Sequence, residues 1–352
     1  MSDTPIGLVT GAPGWLGTRL VETLLQGLPD GPTLASRTDR RVRCLVLRGA
    51  DPAPVEKLGP GVELTLGDLT DPPSIDAFLT EARGATLFHA AGIIHPTRGT
   101  RQFNEVNAQG TTRLVDAAKR AGVRRLIYVS SNSPIGTNSH RDEVFDETAS
   151  YNPYMGYGRS KMIAEQAVLA ADGEGGLETV VIRPPWFYGP GQPPRQGLFF
   201  TMIKEGRVPI VGSGDNRRSM AFIDNICQAL LLCERIPAAR GQVYWIADRR
   251  PYAMLEVVDT IERVLERDFG IAVAHKRVRL PAFVSDVAWA ADKALQSVGL
   301  YSPKVHVLSE MSRTISCSID KAQRELGYDP KVDLEEGMRR SIRWMIERGL
   351  AI

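Results

Sequence analysis

Short apolar runs separated by segments of helix length fill the first half of this 352-residue chain. Ile6 to Thr10, Val42 to Leu47, Val62 to Leu66, Thr86 to His89, Arg125 to Ser130 and Thr179 to Arg183 read as strands. Trp15 to Leu25, Pro73 to Glu81, Arg101 to Ala121 and Tyr154 to Ala171 read as helices. A strand that follows a helix is reached by a crossover rather than a hairpin, and such crossovers are right-handed and leave the strands parallel. The expected fold is α/β, a Rossmann-like doubly wound parallel sheet. After Arg183 the alternation loosens, with Pro and Gly dense over 184–194 and 209–214. Phe222 to Glu234, Leu255 to Asp268 and Leu334 to Arg348 then read as helices, and Gly241 to Ala247 as a strand.

Thr10-Gly11-Ala12-Pro13-Gly14-Trp15-Leu16-Gly17 falls where the first strand ends and the first helix begins. A tight turn at Gly11, a close backbone approach at Gly14 and close helix packing at Gly17 suit a pyrophosphate seated on the helix N-terminus, with Trp15 and Leu16 in its first turn. These features predict a nucleotide-binding domain over 1–190, with elements near 220–248 returning to it. Residues 191–219 and 249–352 form a smaller, interleaved C-terminal substrate domain. The second strand ends at Leu47-Arg48-Gly49, where an NAD site usually places an acidic residue for the ribose. Arg48 there points to a ribose 2′-phosphate, hence NADP or NAD with a modest preference for NADP. Arg43 or a basic residue of the 30–41 loop is a weaker second candidate. Gly67-Asp68-Leu69 offers a carboxylate for an adenine amino group, or simply a turn aspartate, and His89-Ala90-Ala91-Gly92 offers small residues against which a cofactor can lie.

Charge and cysteine content narrow the partners. Lys plus Arg number 43 against 41 Asp plus Glu, a net charge of +2, so no dominant field points to nucleic acid. The four cysteines form no CxxC pair, and five scattered histidines offer no metal cluster, so no metal is expected and a reducing compartment is the easier reading. Met1-Ser2-Asp3 leads almost directly into the first strand, and no run of 18 uncharged apolar residues follows, which leads to the expectation of a cytoplasmic protein.

Tyr157-Gly158-Arg159-Ser160-Lys161 puts Tyr157 and Lys161 on one helical face, downstream of Ser130-Ser131-Asn132 at a strand end. A phenol with an ordinary pKa near ~10 needs a nearby cation to exchange protons at neutral pH, and Lys161 can supply it while Ser131 orients a substrate oxygen.

Taken together, TGAPGWLG at 10–17, GDL at 67–69, HAAG at 89–92, the Tyr157 to Lys161 motif and Arg183-Pro184-Pro185 before Tyr188-Gly189-Pro190 closely resemble the extended short-chain dehydrogenase/reductase family. The resemblance implies that Tyr157 transfers a proton, Lys161 lowers its pKa and binds nicotinamide ribose, and Ser131 positions the reacting oxygen. Ser131 is preferred to Ser130 because the family's serine or threonine stands five residues before the glycine that closes this motif, here Gly136. Asn107 matches the helix asparagine that supports the active-site backbone, and Pro184 the cofactor wall. Asn132, Tyr188, Arg217 and Arg218 are the substrate-binding candidates.

The substrate is read in two ways. Phe222-Ile223-Asp224-Asn225 and Ser318-Ile319-Asp320-Lys321-Ala322 through Leu326-Gly327-Tyr328 resemble the branch of 3β-hydroxysteroid dehydrogenases and sterol 4α-carboxylate 3-dehydrogenases, although sugar-modifying relatives share the distal pattern. Phe283, Val287, Trp289, Ala291, Leu295 and Val298 make an apolar segment that suits a wall over a sterol-like substrate, a core-facing helix, or transient contact with a membrane periphery. The alternative is a nucleotide-sugar 4-epimerase or 4-keto reductase, with Arg217 or Arg218 on phosphate. A homodimer is compatible with either reading.

Overall fold

The structure, a computed structural model, describes residues 6–30 and 40–352. Among these residues a seven-stranded parallel sheet contains β1 (Gly7–Thr10), β2 (Val42–Val46), β3 (Val62–Leu66), β4 (Thr86–His89), β5 (Arg125–Val129), β6 (Glu178–Arg183) and one late strand. Four short strands precede that late one: β7 (Trp186–Tyr188), β8 (Pro209–Val211), β9 (Arg217–Arg218) and β10 (Met220–Phe222). The late strand is therefore β11 (Gln242–Trp245), and β12 (Tyr252–Ala253) and β13 (Val278–Leu280) follow it. The sheet order is β11-β6-β5-β4-β1-β2-β3. Consecutive crossovers run outward in opposite directions from β1 and β4, so the connections diverge there and leave a crevice at the carboxyl ends of the strands.

Helices of the first half are α1 (Trp15–Gln26), α2 (Ala53–Glu56), α3 (Pro72–Phe78), α4 (Thr111–Ala121) and α5 (Met155–Ala170). Those of the second half are α6 (Pro194–Lys204), α7 (Ile223–Arg235), α8 (Met254–Phe269), α9 (Phe283–Ser297), α10 (Pro303–Glu310), α11 (Asp320–Leu326) and α12 (Leu334–Glu347). Strand alternation divides the core between the two faces of the sheet. Leu8, Leu45, Leu87, Leu126 and Val181 pack with Phe78, Leu114, Ala164 and Val168 on the α3–α4–α5 side. Val9, Val46, Phe88, Ile127 and Val180 pack with Leu20, Leu24, Ile226 and Leu230 on the α1–α7 side.

Two segments differ from the expectation. The single helix expected over 101–121 is π-helical from Phe103 to Gly110 before it becomes α4. The Asn107 carbonyl accepts from Thr111 Oγ1 at 2.6 Å, so a side chain satisfies backbone that the wider turn displaces. The apolar 280–301 segment forms α9, but its apolar residues do not face the core. Phe283 and Val287 are 63% and 62% exposed, while Ser285, Ala288 and Asp292 are the buried positions. The buried side of α9 thus carries Ser285 and Asp292, while Phe283, Val287 and Trp289 face outward.

A buried ion pair joins the catalytic-helix candidate to the sheet. Arg183 donates to Glu165 through Nη2 at 2.7 Å and Nε at 3.1 Å, and Tyr151 donates its hydroxyl to the same carboxylate at 3.0 Å. Glu165 is fully buried. Removing one partner of such a pair strands the other charge without water. Glu165→Ala should therefore lower stability by about 3 kcal/mol or more in urea denaturation. A loss below about 1 kcal/mol, the size of a surface pair, would contradict this account.

Candidate active site

A cavity of about 600 Å³ opens at the crevice between β1 and β4. Its lining includes Gly11 and Gly14 from the first turn, Asp68 and Leu69 after β3, and Ala91 and Gly92 after β4. The turn exists because no Cβ fits in it. Gly11 has φ +94°, and a Cβ there would lie 2.8 Å from the backbone of Ala90 and Ala91. A Cβ on Gly14 or Gly17 would lie 2.6 or 2.4 Å from the Gly11 carbonyl oxygen. No acidic side chain stands in the first turn of α1 and no side chain caps it, so its N–H groups are open to an anion. These features fit a nicotinamide dinucleotide, with its pyrophosphate over α1. Asp68 accepts from the Thr70 N–H at 2.8 Å, so the turn role and a place on the cavity wall coexist in one residue.

Arg48 lies just beyond Leu47, which lines the cavity, and reaches Asp71 at 3.3 Å and Ser74 at 3.2 Å. Arg43 is held by Glu63 and by the carbonyls of Phe78 and Thr80. Arg40 is held by Glu234 and Arg41 by Glu63, while Arg37 lies outside the described residues. Arg43 is therefore corrected from second candidate to structural residue, because its guanidinium is already taken. His89 is also structural: it lies between Thr10 Oγ1 at 2.7 Å and Thr111 Oγ1 at 2.9 Å, and burial holds its pKa down to about 3.

Ser131 stands close to Tyr157, and Lys161 Nζ lies 3.9 Å from where a Cβ on the cavity residue Gly92 would be. The Ser131 hydroxyl is close enough to the Tyr157 phenol to oppose the rise in its pKa, and it bonds Ser133 Oγ at 3.1 Å and accepts from the Ser133 N–H at 2.9 Å, whereas Ser130 Oγ is buried without a partner among the described residues. Lys161 Nζ donates to the Val129 carbonyl at 2.8 Å and sits 4.2 Å above the Tyr128 ring. Burial pushes the Tyr157 phenol up to about 12, with Ser131 opposing and Glu310 adding to the shift. Burial also pulls Lys161 down to about 7, against the attraction of Glu165. The expected lowering of the tyrosine by the lysine does not set its pKa here; the loss of solvent around the phenol does.

Asn107 ties the two halves of the site together. Its side chain accepts from Ile93 N–H at 2.7 Å and donates to Ile93 O at 2.9 Å and Ser160 Oγ at 3.1 Å. Gly92 is pinned beside it, since a Cβ there would meet Asn107 Oδ1 at 3.3 Å.

Other expected site residues stand elsewhere. Tyr188 is a correction: it is 3% exposed and donates to Asp248 Oδ2 at 2.7 Å, so it belongs to the core. Trp15 donates to the Pro190 carbonyl at 2.7 Å and packs on Phe187, and Leu16 joins the core, so neither lines the cavity. Pro184 is buried just past β6, and Asn132 is half-buried, its carbonyl accepting from Ile135 and Gly136. Arg217 pairs with Asp142 at 3.5 Å, and Arg218 is buried against the Glu310 carbonyl. The sequence reading missed Gln102, Glu105, Gln109 and Arg113, which line the cavity from one helical face. Their spacing of three or four residues was the available signal.

The family follows from this arrangement and from direct comparison. A model of the NAD dependent epimerase/dehydratase family matches residues 7–247, and the chain belongs to that family. It is an NAD-dependent enzyme with an extended short-chain dehydrogenase/reductase fold. An uncharacterized protein of Sinorhizobium fredii (strain NBRC 101917 / NGR234) is 49% identical over 99% of this chain and 97% of its own length. The 3beta-hydroxysteroid-dehydrogenase/decarboxylase isoform 1 of Arabidopsis thaliana is 29% identical over 95% of this chain and 78% of its own. Among solved structures, the dTDP-glucose 4,6-dehydratase DesIV of Streptomyces venezuelae, determined with NAD and TYD bound, superposes with a TM-score of 0.74 at 26% identity over 97% of both chains. Among the described residues no helix is long and apolar enough to cross a membrane, and no group of His, Cys, Asp and Glu is placed to hold a metal.

The first turn gives a direct test. Gly14→Ala should weaken NAD binding by roughly tenfold or more, because the backbone must open where the pyrophosphate approaches. Calorimetric titration with NAD reads the change. Wild-type affinity in a folded Gly14→Ala protein would show that the cradle is not the cofactor seat.

Proposed function

We propose that this protein interconverts a hydroxyl and a ketone on a sterol or steroid-like substrate, such as a 3β-hydroxysteroid or a 4α-carboxysterol, with NAD or NADP. The observation that carries the reading is the match over 95% of the chain to a relative named as a 3β-hydroxysteroid dehydrogenase/decarboxylase. The arginines support it by default: a nucleotide-sugar needs free cations for its phosphates, whereas Arg217 is paired with Asp142 and Arg218 is held at the Glu310 carbonyl. The nucleotide-sugar alternative retains support from the fold of DesIV.

Gly11, Gly14 and the N-terminus of α1 hold the dinucleotide in this reading, with Asp68 and Leu69 at the adenine end. The bound nicotinamide supplies hydride chemistry. Ser131 orients the reacting oxygen, and Tyr157 delivers its phenolic proton to that oxygen in reduction or accepts one in oxidation. Lys161 binds the nicotinamide ribose and provides positive charge next to the phenol. A phenol raised to about 12 is protonated throughout the neutral range, which suits donation during ketone reduction. Arg48 is assigned a modest preference for NADP, since it stands just past β2 where an NAD site usually places an acidic residue. Transient contact with a membrane surface belongs to the same proposal, on the outward apolar stripe of α9.

A panel of 3β-hydroxysterols, 4-carboxysterols and nucleotide-sugars tests the substrate, with product analysis because an epimerase regenerates its cofactor and shows no net absorbance change. Conversion is expected with a sterol-like alcohol. Tyr157→Phe should then reduce kcat by roughly 10²- to 10⁴-fold with NAD binding intact. Efficient sugar turnover without sterol conversion would overturn the assignment. The cofactor preference is tested separately by titrating NAD and NADP into wild type and Arg48→Ala. Loss of NADP affinity in the variant is expected, and equal NADP affinity before and after the substitution would remove Arg48 from the site.

A further inference from the structure

The N-terminus of α5, which begins two residues before Tyr157, is capped by a different part of the chain. No side chain of its own flank caps α5. Instead Gln296 of α9 accepts from the Gly156 N–H through Oε1 at 3.1 Å. A Cβ on Gly156 would meet that oxygen at 3.1 Å and the Phe103 ring at 3.2 Å, so the approach depends on glycine. Met155, immediately before it, has φ +55°, a left-handed conformation that a residue with a side chain keeps only when its surroundings hold it.

The orientation of Gln296 is determined by its neighbours. Its Nε2 donates to both oxygens of Asp292 at 3.1 Å. A carboxylate only accepts, so the amide nitrogen must face Asp292 and the amide oxygen must face Gly156. Asp292 is fully buried and pairs with His306 Nδ1 of α10 at 2.7 Å. Further contacts run the same way: Tyr154 and Ser309 share a hydroxyl hydrogen bond at 2.7 Å, and Thr100 N–H donates to Gly299 O at 3.0 Å. The Tyr301 ring meets Phe103 edge-on at 5.7 Å, and Phe103 packs on Tyr157 at 5.9 Å.

We propose that Gln296, aimed by the buried Asp292–His306 pair, is a positioning residue for Tyr157: it caps the catalytic helix from α9 and keeps the phenol in register with Ser131. This rests on the reading of Tyr157 as the proton-transfer residue. A buried carboxylate in the α9–α10 hairpin then has a function beyond holding the hairpin together. The charged and titratable groups around the pair are Glu310 on α10, His95 after β4, Arg195 on α6 beside His95, and the phenols of Tyr154 and Tyr301.

Gln296→Met keeps the length of the side chain and removes the acceptor. In the NAD-bound full-length protein, the Gly156 amide should lose its protection from hydrogen exchange. With a turned-over substrate, kcat should fall roughly ten- to hundredfold at unchanged NAD affinity. A purely structural role would instead lower the melting temperature and leave kcat of the folded enzyme unchanged. Gln296→Glu supplies the complementary test, because two adjacent carboxyls share a proton and mimic the amide only at acid pH. Its Gly156 protection and kcat should approach wild type at low pH and decline as pH rises. Wild-type protection in Gln296→Met, or wild-type kcat once that protection is lost, overturns the proposal. If Gln296→Met does not fold, a pH-independent protection of Gly156 in Gln296→Glu overturns it. The exchange readout uses no substrate, so failure of the sterol panel alone counts only against the substrate class.

Discussion

Gly11 is pressed so closely against the backbone of Ala90 and Ala91 that the ends of β1 and β4 meet without side chains between them. Everything at the crevice depends on that contact. It turns the chain sharply into α1 and leaves the first N–H groups of the helix free. It also brings Thr10 close enough for its hydroxyl to accept from the Ala91 N–H at 3.2 Å and to bond His89. From there a buried polar chain continues through Thr111 to the Asn107 carbonyl, and through the Asn107 amide to Ser160 on α5. Buried polar groups that are all satisfied resist rearrangement more than an apolar contact of similar size. The cofactor cradle and the tyrosine helix are therefore parts of one hydrogen-bonded frame.

Loss of solvent dominates the electrostatics of this frame. It raises the Tyr157 phenol and lowers the Lys161 ammonium, so the two groups are driven toward their neutral forms. In the proposed reading, a neutral phenol beside Ser131 is a prepared proton donor. The lysine Nζ lies above the Tyr128 ring and donates to the Val129 carbonyl, with no acid in direct contact. The nearest compensating carboxylate, Glu165, already serves Arg183 and Tyr151. One buried acid thus anchors α5 to β6 and tempers the lysine field.

Local motifs were legible where spacing alone brings groups together. Tyr157 and Lys161 share a face because four residues is close to one helical turn, and the glycines mark a turn that no other residue can make. Asn107 was legible only through resemblance, since its partners Ile93 and Ser160 lie 14 positions before it and 53 after it. Arg48 and Arg43 looked alike as basic residues near the end of β2. Their neighbours separate them: Glu63 of the adjacent β3 takes Arg43, and no side chain other than Asp71 and Ser74 reaches Arg48 among the described residues. Tyr188 looked like a substrate residue until Asp248, 60 positions later, was found to hold its hydroxyl in the core.

The sequence by itself determined the parallel α/β order, the glycine turn and the tyrosine–lysine face, because each follows from the period of a strand, the period of a helix or the φ range of one residue. Tertiary structure alone decided which way α9 faces. Its apolar stripe satisfies the pattern of a core helix, yet Asp292 and Gln296 turn inward because the Gly156 N–H and His306 offer them partners there. Hydrophobic periodicity records which residues share a face, while the choice of face depends on polar partners outside the helix, one of them 140 residues away, where an unpaired donor would otherwise be buried.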